Sequence, residues 1–357
     1  MENPSVLLYG PLKAKIEDRP VPEIRDPYDV VVRVAYTGVC GSDVHFWLNG
    51  GIRTYVSEEQ PLTMGHEASG TIFAIGTKVT TLVPGDRVAI EPGYPCRRCV
   101  DCKAGRYNLC PSMKFAADPP FTHGTLCKYF LLPADFCYKL HDNISFGEGV
   151  LMEPLAVGVH SVRQANIRPG QRVVIFGAGT VGLMCAAAAR EFGASKVAMI
   201  DVFERKLEFA LSFLGSLVGR VSTPNREFTP EQNAEKFIKD FAMPEGPDII
   251  IDASGAEVSV QTAMHLIKRG GTYVQTGMGK RTINFPISEV CEKELTVKGC
   301  FRYGAGDFDL SISLVSQGKI KVKSLITKVL PFEEATEAWE TTKRGEGIKT
   351  LIEGVKD

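Results

Sequence analysis

Four cysteines crowd one short stretch: Cys96, Cys99, Cys102 and, after seven intervening residues, Cys110. Four soft thiolates on so short a span can close a tetrahedral shell around zinc. Gly93, Pro95 and Gly105 flank the stretch and make chain reversal easy. Four protein ligands leave no open coordination position, so the zinc expected here is structural. An iron–sulfur cluster also takes four cysteines, but the ferredoxin-type run C-x2-C-x2-C-x3-C differs in its last gap. A nucleic-acid finger is poorly supported, because no helix with paired histidines follows.

A second constellation is dispersed. Cys40 opens Cys40-Gly41-Ser42-Asp43-Val44-His45, His66 and Glu67 sit in Gly65-His66-Glu67-Ala68-Ser69-Gly70, and Glu153 lies in Met152-Glu153-Pro154. A thiolate, an imidazole and one or two carboxylates make the catalytic type of zinc site, with a position left for water or substrate. Spacing alone leaves this open, since a lone cysteine is more often a small core residue and a lone histidine a hydrogen-bonding one.

The third constellation binds phosphate. The strand-like Arg172 to Phe176 runs directly into Gly177-Ala178-Gly179-Thr180-Val181-Gly182 and then into an alanine-rich helical stretch. Gly177 permits the tight turn, Gly179 lets backbone approach a pyrophosphate, and Gly182 lets helix pack on strand. The helix N-terminus offers free N–H groups to the anion. Asp201 follows the next strand, nineteen residues past Gly182, where an acid bonds the adenosine ribose hydroxyls. A carboxylate there repels a 2′-phosphate, so NAD is expected over NADP; Arg205 and Lys206 nearby soften that preference. The alternative is a glycine-rich turn that binds another nucleotide or nothing.

The chain that positions these groups has 357 residues and divides by texture. The first 150 residues or so are strand-rich and irregular, with strands expected at Asp29 to Tyr36, Ser69 to Gly76 and Gly85 to Ile90. Glycines and prolines punctuate them, as in a small barrel or sandwich. From about Pro154, apolar β-branched runs alternate with helical stretches. Arg172 to Phe176, Lys196 to Ile200, Asp248 to Ile251 and Gly271 to Thr276 read as buried parallel strands, and Val181 to Phe192 and Arg205 to Leu214 as helices. After about Glu289 the pattern is mixed. Cys127, Cys137, Cys185, Cys291 and Cys300 are isolated and expected to be core thiols.

Composition excludes several classes. Forty-one Lys and Arg balance forty-two Asp and Glu, so no overall field holds nucleic acid or an anionic membrane. The longest uncharged run, Val173 to Ala189, is interrupted by glycines and reads as strand, turn and helix rather than as a membrane span. The N-terminus lacks the basic start and apolar stretch of a secretory leader. A cytoplasmic protein with reduced thiols is expected.

Taken in order, these motifs resemble those of the zinc-containing medium-chain dehydrogenases, and within them the polyol branch of sorbitol and xylitol dehydrogenases. Glu153-Pro154-Leu155 and Phe301-Arg302-Tyr303-Gly304 complete the set, which covers essentially the whole chain. The resemblance implies an α/β protein: a GroES-like β-rich catalytic domain over residues 1–154, a doubly wound parallel-sheet Rossmann domain over 155–290, and a return to the catalytic domain over 291–357. It implies that Cys40, His66 and Glu67 approach a catalytic zinc, with Glu153 as ligand or as partner of a water there. Simple alcohol dehydrogenases have a third cysteine where this chain has Glu153, which is what places it in the polyol branch. Other members of that branch lack the four-cysteine lobe that this chain keeps. Phe46 and the stretches around Cys110 and Arg302 look closest to the xylitol enzymes.

The implied reaction is oxidation of a polyol to a ketose with hydride transfer to NAD, xylitol to D-xylulose first among candidates and sorbitol or L-arabinitol as alternatives. Ser42 and His45 are expected to carry the proton away, Arg302 and Tyr303 to orient hydroxyls, and Phe46 and Phe115 to form an apolar wall. The cofactors implied are one catalytic and one structural zinc and NAD, with Gly177, Gly179, Val181, Gly182, Asp201 and Lys206 at the dinucleotide. Relatives imply a homodimer or homotetramer with no nucleic-acid or membrane partner. The contrasting reading from another class is a zinc-stabilised nucleotide-binding protein without redox activity.

Overall fold

The computed structural model describes residues 2–120, 122–215 and 218–356, which form two compact units. The first comprises the described residues up to Glu153 together with those from Gly304 onward; the second is Pro154–Tyr303. The chain rejoins the first unit at Gly304. The reason is the strand Thr296–Gly299, which pairs in parallel with Thr272–Gln275 and completes the second unit's sheet. Its weakly apolar sequence, Thr-Val-Lys-Gly, hides it from a search for buried β-branched runs.

The first unit is built on a seven-stranded sheet centred on Asp29–Gly38, whose Val30, Val32 and Val34 are buried. On one edge it pairs with Glu67–Ile75, which continues to Arg87–Ile90 and Cys137–Lys139. Elsewhere along its length it pairs with Tyr129–Pro133 and with the C-terminal strand Lys349–Glu353, Leu351 opposite Gly38. The C-terminal strand is thus a structural part of the N-terminal half. A second core packs helix Gly41–Asn49 against helix Ala335–Lys343 through the chain's two tryptophans, Trp47 and Trp339, whose rings lie 5.3 Å apart. The Trp47 indole N–H also donates to the Glu340 carboxylate at 2.7 Å.

The second unit is a six-stranded, wholly parallel sheet. Its order runs Val218–Ser222, Lys196–Ile200, Arg172–Phe176, Ile249–Asp252, Thr272–Gln275, Thr296–Gly299. The order reverses between Arg172–Phe176 and Ile249–Asp252, and ligands of such sheets bind at the strand C-termini beside that point. The helices Thr180–Glu191 and Glu204–Leu214 fall where the sequence put them. Of the isolated thiols, Cys127, Cys137 and Cys185 are buried, but Cys300 is half-buried and Cys291 is exposed on the short helix Ile287–Glu292. The core assignment of Cys291 is therefore corrected: it sits on a short helix that buries none of its residues, on the same exposed side as Ile287. Among the described residues, no helix is long and apolar enough to cross a membrane.

Candidate metal centres and dinucleotide turn

The four-cysteine lobe gathers as its spacing predicts. The sulfurs of Cys96, Cys99, Cys102 and Cys110 all lie within 4.8 Å of one another, and none forms a disulfide. Cys99 and Cys102 sulfurs are 3.3 Å apart and Cys96 and Cys102 sulfurs 4.0 Å, which brackets the edge of about 3.8 Å that a tetrahedron with Zn–S of about 2.3 Å requires. Backbone N–H groups already point at the sulfurs: Cys96 N at Cys110 Sγ, Cys99 N at Cys96 Sγ and Cys102 N at Cys99 Sγ. The N–H groups of Arg98 and Cys99 pull the Cys96 thiol down to about 6. Burial and the neighbouring cysteines push Cys102 up to about 12. Four thiolates at this spacing repel one another, and a divalent cation at their centre removes that conflict. The residues fit zinc.

The lobe is pinned to the sheet by a buried carboxyl. Glu91 is fully buried and accepts from the Tyr107 hydroxyl at 2.5 Å and the Tyr138 hydroxyl at 2.8 Å. Tyr107 lies just before Cys110, and Arg97 adds an ion pair to Asp135 at 2.7 Å. Burial raises the Glu91 carboxyl to about 7, with Asp307 and Asp309 adding to the effect against the two phenols. A carboxyl raised on folding stabilises the protein below its unfolded pKa, and that stability is lost as pH rises through the folded value. Stability referable to Glu91 should fall between about pH 4.5 and pH 7. Melting temperatures of wild type and Glu91→Gln across that window test this: the glutamine variant should lack this part of the slope. Parallel curves would remove Glu91 as the cause.

At the second constellation, local structure does the positioning. Cys40 is the N-cap of helix Gly41–Asn49, and its N–H donates to the Asp43 carboxylate at 2.9 Å. The other Asp43 oxygen is 3.5 Å from His66 Nδ1, and His66 Nε2 is 3.5 Å from the Ser42 hydroxyl. A carboxylate on the far nitrogen fixes the tautomer and orientation of a metal-binding imidazole. Burial lowers the His66 pKa, but Asp43 and Cys40 outweigh it and hold it well above its ordinary value. The potential ligand atoms of Cys40, His66 and Glu67 lie within 4.8 Å of one another. Sulfur, imidazole nitrogen and carboxylate oxygen are each zinc ligands, so this donor set fits zinc too, and it leaves a coordination position open.

Glu153 is buried near the start of helix Met152–Ala165 but is not a member of that three-residue group. The Phe115 ring lies 5.7 Å from the His66 ring. Phe46 is buried and packs in the core cluster that holds Trp47 and Trp339. His45 is exposed one turn beyond Ser42. Arg302 and Tyr303 close the second unit. Arg302 has a left-handed backbone, φ 56°, and stacks its guanidinium over Phe301 at 4.7 Å. Tyr303 is buried.

Three residues at this centre escape a motif search. Asp43 reads as an ordinary capping acid. Gly38 reads as a strand end, yet a Cβ there would collide with the Glu67 carboxylate and come within 2.8 Å of Val150. Lys349 reads as the polar start of a C-terminal strand, yet it is buried and paired with Glu67. Burial lowers the Lys349 pKa, and the charges of Glu67, Cys40 and Glu153 more than offset this. Its place at the head of a short strand, Lys-Thr-Leu-Ile-Glu, gives no sign of this pairing.

In the second unit the glycine turn joins the strand Arg172–Phe176 to helix Thr180–Glu191. Gly177 has φ 95°, and a Cβ there would press on Ala253 and Ser254 at 3.2 Å. A Cβ on Gly182 would collide with the Gly177 carbonyl. Gly179 N-caps helix Thr180–Glu191 with no side-chain cap, and a Cβ there would enter open space. Uncapped N–H groups before an open cradle fit a pyrophosphate. Val181 is half-buried in the first turn. Asp201 accepts from Ala178 N at 2.7 Å and Phe203 N at 2.9 Å, which fixes its carboxylate beside the turn. Lys206 and Arg205 both stack on the Phe203 ring, at 5.2 and 5.6 Å.

Residues 26–142 match the family described as "Alcohol dehydrogenase GroES-like domain", and residues 180–317 the family described as "Zinc-binding dehydrogenase". "Probable D-xylulose reductase A" of Aspergillus clavatus is 53% identical over 356 residues, 100% of this chain and 98% of that protein. "D-xylulose reductase A" of Aspergillus oryzae is 52% identical over 354 residues, 99% of this chain and 97% of that protein. Among solved structures, an Escherichia coli oxidoreductase/dehydrogenase of unknown specificity superposes with a TM-score of 0.91 at 33% identity, covering 100% of both chains. Escherichia coli L-idonate 5-dehydrogenase gives a TM-score of 0.87 at 25% identity over 99% of this chain and 98% of that one.

Proposed function

The chain belongs to the zinc-binding dehydrogenases with a GroES-like domain, and on that premise we propose that it is an NAD-linked polyol dehydrogenase interconverting xylitol and D-xylulose. The observation that carries this is the Cys40, His66 and Glu67 group with a fourth position open, in a chain whose full-length relatives bear the name D-xylulose reductase. When bound, zinc supplies Lewis acidity to a substrate hydroxyl and NAD accepts the hydride.

The chain's own residues do the rest. Cys40, His66 and Glu67 hold the metal, and Asp43 keeps the His66 ring oriented. Ser42 and His45, on one helix face three residues apart, relay the substrate proton toward solvent. Glu153, standing outside the ligand group, acts through water and lowers the net positive charge of the site. Phe115 beside His66 gives an apolar wall. Arg302, with a fork of donors, and Tyr303 orient polyol hydroxyls. Gly177, Gly179, Val181 and Gly182 seat the pyrophosphate and Asp201 the adenosine ribose. The protein is a cytoplasmic homo-oligomer. The second unit's sheet ends in Thr296–Gly299, a strand with one edge unpaired among the described residues and an exposed Val297 suited to pairing with a second copy. Light scattering on the purified protein tests the last point, and a monomer at micromolar concentration contradicts it.

The activity is tested by initial NADH formation with xylitol, D-sorbitol, L-arabinitol, ribitol and ethanol, before and after chelation. Chelator-sensitive turnover with xylitol foremost is expected. Preference for ethanol would point to a simple alcohol dehydrogenase, and nucleotide binding without turnover to a non-redox protein. For the cofactor, Asp201→Ala should shift the NAD to NADP ratio of kcat/KM at least about tenfold toward NADP, roughly 1.4 kcal/mol of lost discrimination. An unchanged ratio would remove Asp201 from that role.

A further inference from the structure

Lys349 makes three hydrogen bonds, as many as an ammonium group can donate. Its Nζ donates to Glu67 Oε1 at 2.9 Å, to Glu67 Oε2 at 2.6 Å and to the Val39 carbonyl at 3.0 Å. Val39 is the residue before Cys40, and Glu67 the residue after His66. One side chain therefore joins the two segments that carry the proposed metal ligands. The backbone reinforces the link, since Val39 N donates to Thr350 O at 3.0 Å. Leu351 pairs with Gly38; Lys349 lies two residues before Leu351, and Cys40 two residues after Gly38, just past the end of its strand. Both Lys349 and Glu67 side chains are almost wholly buried, at 3% and 2% exposure, so neither can exchange this pairing for water.

We propose that Lys349 is the positioning residue of the catalytic metal centre: it ties the Cys40 segment to the His66–Glu67 segment and presents the Glu67 carboxylate at ligand spacing. This rests on the reading of Cys40, His66 and Glu67 as a zinc site. The proposed ligands bring two formal negative charges, a thiolate and a carboxylate, and Lys349 places one fixed positive charge against the carboxylate. Without it, Glu67 is a buried carboxylate with freedom to turn toward any other partner, and the ligand spacing is no longer enforced. The C-terminal strand would thus be part of the active centre although it carries no group that touches substrate.

The test uses the zinc-loaded full-length enzyme and its Lys349→Met and Lys349→Arg variants, with His66→Ala as reference. Zinc content and the rate of zinc transfer to a chromogenic chelator are read alongside kcat and KM. Lys349→Met should release one zinc at least tenfold faster, the same equivalent that His66→Ala lacks, while the four-cysteine zinc keeps its rate. Its kcat should fall at least a hundredfold with KM changed less than fivefold, and Lys349→Arg should recover most of both. The near-ultraviolet signal of the Trp47 and Trp339 pair checks folding, and Lys349→Gln replaces the methionine variant if that fails to fold. Zinc release and kcat within twofold of wild type in the neutral variant overturn the tether alone. A wild type holding only the four-cysteine zinc, or a His66→Ala that loses none, overturns the underlying zinc reading and the tether with it.

Discussion

His66→Ala is expected to lower kcat for polyol oxidation by about 1000-fold, equivalent to ~4 kcal/mol of transition-state stabilisation, and to cost one equivalent of zinc. The centre has three close candidate ligands, so removing one leaves a pair that cannot define tetrahedral geometry. The fold should survive. The helix that begins after Cys40 is held from behind by the Trp47 and Trp339 contact and by the Trp47 bond to Glu340, neither of which involves His66. Asp43 keeps its bond from Cys40 N, so its buried carboxylate is not left without a donor. The melting temperature should therefore drop by only a few degrees, about what ~1–2 kcal/mol produces in a chain of this size. Turnover within tenfold of wild type would mean that the chemistry does not pass through this centre.

Cys99→Ser should show the opposite profile. Structural zinc contributes of order 10 kcal/mol to the folding of small zinc domains, comparable to the whole stability of an ordinary protein. Three remaining thiolates retain part of that, and a loss of ~3–5 kcal/mol corresponds to a fall of roughly 10 °C in melting temperature. The first unit would feel the loss through Tyr107 on Glu91 and Arg97 on Asp135, the bonds by which the lobe grips the sheet. Turnover per folded molecule at low temperature should stay within about threefold, since none of the four sulfurs belongs to the catalytic group. Calorimetry and zinc analysis on one preparation decide this. An unchanged melting temperature with lost turnover would reverse the division of labour between the two centres.

Much of this protein is written locally. The four-cysteine lobe spans fifteen residues, and its ligand set follows from spacing because a short chain between ligands leaves few other geometries. The glycine turn is equally local: a strand, a left-handed Gly177 and an uncapped helix are consecutive in the chain. The buried strands Arg172–Phe176 and Lys196–Ile200 announce themselves because a parallel strand covered on both faces must be apolar throughout. Where a strand is short and at a sheet edge, as Thr296–Gly299 is, that pressure is absent and the sequence carries no comparable mark of it.

What only the tertiary structure decided is the company each side chain keeps across long stretches of chain. Cys40 and His66 come together because Asp29–Gly38 pairs with Glu67–Ile75, and register between strands is a cooperative property of the sheet. Phe46 and Ser42 lie on one helix, yet one faces the core and the other His66, a choice set by what packs behind the helix. Lys349 is separated from Glu67 by 282 positions, and nothing in either residue's neighbourhood names the other. A buried charge must find its counter-charge wherever the fold brings one, so that pairing is a consequence of the closed sheet, while the chemistry of each ligand was already in the sequence.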